Sequence, residues 1–205
     1  MFSFPRLLAV VLLPLLSINT SASKTNHLQG QTAAPAVRQG SKVEQLSEAK
    51  RLDEQVSKLF SESNFEQALK PAEQSLTLRK AALPADDPLV AESLFNMAML
   101  YFRLGSYELA EPLFKESLDI REKKLPTDDL DLAKSLNSLA GLYQAMGDYG
   151  RAQDLFIRAL DIRKKKLGLD NPVVATTMKN LGLNYKDRRD YKNAEELLLQ
   201  TLNTF

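Results

Sequence analysis

Apolar residues in the middle and C-terminal parts of this chain recur with two helical patterns that alternate. Val90, Ala91, Leu94, Met97, Ala98 and Tyr101 follow the i, i+3, i+4, i+7 spacing that places one stripe on one face of a helix. Leu104-Gly105-Ser106 interrupts that pattern, with Gly suited to the left-handed residue that ends a helix and Ser suited to capping the next. A second stripe follows through Tyr107, Ala110, Leu113, Phe114, Leu118 and Arg121. The reading is therefore a pair of helices, A then B, joined by a tight turn.

The pair repeats every 42 residues. Phe65, Tyr107, Tyr149 and Tyr191 share one column, Ala68, Ala110, Ala152 and Ala194 another, and Leu76, Leu118, Leu160 and Leu202 a third. On helix A, Leu52, Leu94, Leu136 and Met178 align, as do Ala49, Ala91, Ala133 and Ala175. Four units fit without a gap, from about residue 47 to residue 205. Small residues at Ala98, Ala140 and Gly182 oppose Ala110, Ala152 and Ala194, so the two helices of a unit are expected to approach closely.

Polar residues mark the ends of these elements. Asp87-Pro88 and Asn171-Pro172 supply an N-cap followed by Pro at the first helical position. Arg163-Lys164-Lys165-Lys166 falls at the end of a helix B, where unpaired carbonyls favour cations. Asp86-Asp87 and Asp128-Asp129 read as caps, since exposed turn residues offer nothing to raise a catalytic pKa. The fourth unit carries Arg188-Arg189-Asp190 in place of the Gly turn, which predicts strain there, and Pro112 is expected to bend its helix.

These features, carried by LFNMAMLYFRLGSYELAEPLFKESLDIREKKL and SLNSLAGLYQAMGDYGRAQDLFIRALDIRKKKLGLDNPVVA, resemble the tetratricopeptide repeat, and more narrowly its long version found in kinesin light chains. The resemblance implies an all-α, right-handed α-solenoid of stacked antiparallel helix pairs, with helix A lining a concave groove that holds an extended peptide. The groove set it implies includes Phe95, Asn96, Met99 and Phe102 in the second unit, Asn137, Ser138 and Gln144 in the third, and Lys179, Asn180 and Leu183 in the fourth. Asp53 occupies a first-unit groove position in the same frame. Phe95, Met99 and Phe102 form an apolar stripe beside the structural one, to be covered by a ligand or by neighbouring helices. Asn96, Ser138 and Asn180 share a column, and in related kinesin-light-chain grooves asparagines there hold the ligand backbone. An amide both donates to and accepts from a peptide unit; bonding between neighbouring helices is the alternative use of these residues.

Composition narrows the chemistry further. The chain of 205 residues has no Cys and one His, so disulfides, thiolate nucleophiles, Cys-based zinc sites and two-His metal sites are excluded, and no cofactor or catalytic residue is expected. His27 lies in a polar segment and reads as a linker side chain. Lys plus Arg number 27 against 26 Asp plus Glu, so no global field attracts nucleic acid.

At the N-terminus, Arg6 precedes an apolar run from Leu7 to Ile18 that is shorter than the roughly 20 residues a membrane helix needs. Residues 1–22 therefore read as a signal peptide, with an uncleaved anchor as the alternative, and residues 23–46 as a flexible linker. The expected location is secreted or periplasmic, with no Cys for lipid attachment and no stable membrane span once the signal is removed. At the other end, LLLQTLNTF lacks the polar closing helix usual in solenoids, so Leu197, Leu198, Leu202 and Phe205 are expected to leave apolar surface for a second copy or another protein. The sequence reading is thus a non-enzymatic scaffold that binds a protein or peptide, with an assembly subunit acting through homo- or hetero-oligomerisation, a homodimer included, as its rival.

Overall fold

A computed structural model describes residues 41–202. They form eight helices: α1 (Lys42–Ser61), α2 (Phe65–Ala82), α3 (Pro88–Arg103), α4 (Tyr107–Lys124), α5 (Leu130–Ala145), α6 (Tyr149–Leu167), α7 (Pro172–Asp187) and α8 (Tyr191–Leu202). Odd-numbered helices are the A helices and even-numbered ones the B helices of four units. Each helix packs on the next in sequence, and α3 also meets α5 as α5 meets α7. Direct contact between successive A helices puts them on the inner side of the stack. No strand occurs among the described residues.

Local chemistry explains the boundaries. Asp87, Asp129 and Asn171 each accept a backbone N–H at the start of α3, α5 and α7, and Pro88 and Pro172 occupy the first turn where no N–H is needed. The A-to-B turns pass through left-handed residues, Gly105 at φ 74° and Gly147 at φ 80°. In the outer units that residue is Ser63 at φ 61° or Arg189 at φ 64°, conformations that cost a residue with a side chain more than glycine. Asp148 caps α6 through its side chain, whereas the Ser106 side chain makes no cap bond.

One boundary differs from expectation. The helical region begins at Lys42, so residues 42–46 belong to α1 and not to a linker. Ser41 and Glu44 form a reciprocal capping box that starts the helix five residues earlier than the apolar period suggests. Both internal prolines, Pro71 and Pro112, are accommodated within single helices, α2 and α4. The carbonyls left without their usual donor belong to exposed residues, Gln67 and Glu108. The N-terminal apolar segment and His27 lie outside the described residues.

Within each unit the alanine columns close the hairpin. Ala49, Ala91, Ala133 and Ala175 are fully buried, as are Ala68, Ala110 and Ala152, and Phe114 and Phe156 are the largest side chains buried with them. Hydroxyls add pins: Ser75 donates to the Ala49 carbonyl at 3.3 Å and Ser117 to the Ala91 carbonyl at 2.7 Å.

Between units a column of arginines does the joining. Arg79, Arg121 and Arg163 are buried, and each reaches from a B helix into the next A helix to donate to Ser93, Ser135 and Thr177 respectively. Arg79 and Arg121 also donate to the Leu89 and Asp131 carbonyls. Burial disfavours the charged form and lowers the Arg121 and Arg163 pKa values from the usual guanidinium range. Arg163 therefore departs from the sequence reading, which placed it among exposed helix-end cations. The neighbouring lysines are shared differently too. Lys124 pairs with Asp86 at 2.6 Å and Lys166 with Asp128 at 2.9 Å, so the first acid of each Asp-Asp pair bonds the end of the following B helix while the second caps.

Candidate peptide-binding surface

The A helices place a polar and apolar mixture along the inner face. Its best-formed depression lies across α1, α3 and α5, a pocket of about 290 Å³ lined by Val56, Ser57, Phe60, Phe95, Asn96, Met99 and Lys134. Phe95 forms its floor and not an exposed stripe, being 3% exposed. Its ring meets Phe114 edge to face at 5.6 Å, with the Arg121 guanidinium at 5.0 Å and the Lys134 ammonium at 4.7 Å from its centroid. Two cations on one ring suit the negative face of an aromatic. Side chains of α4 and of the following unit's Lys134 together cover Phe95, and this could not be read from the period of one helix.

The remaining candidates divide into those open to a ligand and those already engaged. Asn96 and Met99 are half-buried at the pocket wall, and Phe102 packs against Tyr107 with ring centroids 5.8 Å apart. Asn137 accepts a long bond from Asn180 Nδ2 at 3.4 Å, and Gln144 donates to Asp187 at 2.9 Å, so both link α5 to α7. Ser138 is half-buried, while Lys179 and Leu183 are exposed. Asp53, by contrast, is removed from the inner face: it pairs with Arg79 at 2.5 Å and accepts from Ser75 at 2.6 Å.

That pairing sets the electrostatics of the face. Glu92 also lies 3.4 Å from Arg79, so the acids of the first two units share one buried cation. Lys50, Lys179 and Lys186 are exposed, as is Lys134, whose ammonium lies over the Phe95 ring.

At the last helix, Leu197 and Leu198 turn inward more than the sequence suggests. Leu197 packs against the main core, and Leu198 sits so near Gly182 that a Cβ added to Gly182 would lie 3.0 Å from it. The exposed apolar residues there are Tyr191 at 64% and Leu199 at 55%. The Leu202 side chain and Phe205 fall outside the described residues.

Two features escaped the sequence reading. One is the arginine column, legible in principle because Arg79, Arg121 and Arg163 share the 42-residue period with Ser93, Ser135 and Thr177. The other is an outer groove of about 350 Å³ floored by Leu118, Leu139, Tyr143 and Leu155. There Tyr143 donates to Glu111 at 3.1 Å beneath the Arg151 guanidinium, and burial together with that carboxylate raises its pKa. Among the described residues no group of acids and histidines could hold a metal, and no helix is long and apolar enough to cross a membrane.

Stacked helical hairpins joined by a conserved-geometry seam and presenting one A-helix wall define an α-solenoid repeat protein. The tetratricopeptide repeat profile matches residues 58–123 and 131–205, and the chain belongs to that family, whose members generally mediate protein–protein interaction. Solved structures agree on the fold. A Podosopora anserina kinesin light chain with nearly identical TPR-like repeats is 22% identical, with TM-score 0.66, over 76% of this chain and 74% of that one. BtubC (BKLC) from P. vanneervenii is 23% identical, with TM-score 0.67, over 81% and 71%. The apo form of RapI is 16% identical, with TM-score 0.67, over 78% of this chain but 43% of its own. Likeness at these identities establishes architecture and leaves ligands open. Comparison with curated proteins gives no match.

Proposed function

We propose that this chain is an exported, non-catalytic scaffold whose inner wall binds an extended segment of another protein. The observation that carries the reading is the pocket across α1, α3 and α5, with Phe95 as floor, Met99 and Phe60 as apolar walls, and Asn96 and Lys134 at the rim. An apolar side chain of the ligand fills the pocket, and Asn96 offers both a donor and an acceptor to the adjacent peptide unit. The exposed lysines favour a segment of net negative charge, because the nearby acids already share Arg79. Export rests on the short apolar run after Arg6. N-terminal sequencing of protein recovered from outside the cytoplasm tests it: a mature start near residue 23 supports the reading, and an intact Met1 overturns it.

The groove is tested with a displayed library of extended peptides. Selection of apolar-acidic sequences whose capture is lost in Met99→Glu and Asn96→Ala, with helicity unchanged, supports the assignment. Retained capture by both variants moves the site elsewhere.

A second reading, an assembly subunit acting through its last unit, draws on the exposure of Tyr191 and Leu199. Light scattering at micromolar concentration tests it, since a dimer lost on Leu199→Glu supports assembly and a strict monomer opposes it.

A further inference from the structure

The last helix is held differently from every other B helix. In the first two units a serine hydroxyl pins helix B to helix A through Ser75 to the Ala49 carbonyl and Ser117 to the Ala91 carbonyl. The corresponding hydroxyl of the fourth unit, on Thr201, instead donates to the Leu198 carbonyl of its own helix at 2.7 Å. The third unit has Ala159 at this position, but α6 is packed by α5 on one side and α7 on the other, with Arg163 bonded to Thr177. For α8 the packing surface is α7.

That surface is shaped for one occupant. Gly182 takes the place of Ala98 and Ala140, and the Leu198 side chain rests where a Cβ would otherwise project, 3.0 Å from the ideal Cβ position. Ala194 closes the same contact through its carbonyl, 3.6 Å from that position. The seat is thus complementary to α8 itself, whichever chain supplies it.

The hinge completes the pattern. Arg189 adopts φ 64° where the two central units use glycine. Ser63 holds the same conformation in the first unit, but there Ser75 and the Asp53–Arg79 pair bind the hairpin shut. If residues 188–190 became helical, α7 and α8 would form one continuous helix, Arg189 would return to an ordinary negative φ, and α8 would swing away from its own seat.

We propose that α8 is an exchangeable helix, leaving its seat on α7 and docking reciprocally on the α7 of a second copy. This refines the assembly reading given above and rests on it, without depending on the groove. Such exchange needs no new interface chemistry, because the packing of α8 on the Gly182 face of α7 is remade between chains.

Since the sequence contains no cysteine, the exchange can be read directly. Full chains carrying Gly182→Cys are mixed with full chains carrying Leu198→Cys at high protein concentration and then oxidised. A covalent pair linking 182 of one chain to 198 of the other is expected, and it should diminish when both chains also carry Arg189→Gly, which relaxes the closed turn. In wild-type protein, hydrogen exchange of residues 191–202 should run about tenfold or more faster than that of α6, as a locally opening unit requires. Protection of α8 equal to that of α6, or a dimer in which no 182-to-198 link forms, overturns the proposal. In the latter case a dimer by itself would leave the assembly reading standing while removing exchange.

Discussion

Asp53 and Arg79 meet at 2.5 Å between α1 and α2, and no equivalent ion pair exists in the later units among the described residues. The position aligned with Asp53 in the second unit holds Phe95, so the first two arginines of the column meet a carboxylate and an aromatic ring in turn. Phe95 answers its arginine by cation–π contact at 5.0 Å. The column is thus a constant joint between units with a variable partner on the inner wall.

Removing one side of the Asp53–Arg79 pair should be costly. Arg79→Leu leaves Asp53 mostly buried without its cation and should destabilise the first two units by about 3 kcal/mol, whereas Arg79→Leu with Asp53→Leu should recover much of that loss. Chemical denaturation of the single and double variants, analysed as a thermodynamic cycle, checks the coupling.

Asn184 should be improvable. It is fully buried where the second and third units carry Leu100 and Leu142, its Nδ2 donates to the Tyr149 carbonyl at 3.1 Å, and its Oδ1 has no partner. Asn184→Leu should raise stability by about 1 kcal/mol, because an unsatisfied buried acceptor costs more than the one bond given up contributes. Thermal melts followed by circular dichroism would show a higher midpoint; a lower one would mean that the bond to Tyr149 is the larger effect.

Phe95→Ala should be a stability variant before it is a binding variant. A buried phenylalanine packed on Phe114 loses about 3 to 5 kcal/mol on truncation, so reduced ligand capture by it would not by itself locate the groove. Differential scanning calorimetry should show this loss, while Met99→Glu at the pocket wall should leave the melting temperature within a few degrees of wild type.

Acid should loosen the seam between units. Hydrogen bonds from Lys124 and Lys166 hold the Asp86 and Asp128 carboxyls below their ordinary value of 3.8. A carboxyl whose folded pKa is depressed contributes stability above its unfolded pKa and loses it as pH falls through the folded one. Melting temperature should therefore fall as pH drops below about 4. In the Asp86→Asn and Asp128→Asn double variant that fall should be shallower, and titrated melts compare the two. Both groups are exposed, so added salt should shrink the difference.

The helix boundaries were legible because they are written locally. Asp87-Pro88, Asn171-Pro172 and Gly147 act within a few residues of themselves, and the period of 42 follows from counting. The earlier start of α1 likewise has a local cause, in the Ser41 and Glu44 box. The inner wall was only partly legible. Phe95, Asn96 and Met99 do gather at one pocket, but whether a residue on that wall stays free depends on the neighbour that reaches it. Arg79 reaches Asp53, Arg121 and Lys134 reach Phe95, and Asn180 reaches Asn137.

By itself, then, the sequence determined an all-helical array of four paired units, their caps and turns, and the small residues that let each pair close. The tertiary structure decided which polar residues would be buried between units and which apolar ones would remain at the surface. Hydrogen bonding along a helix is satisfied within a few residues. The fate of Arg163, Phe95 and Leu198 depends on side chains that meet only when one hairpin stacks on another or closes on itself.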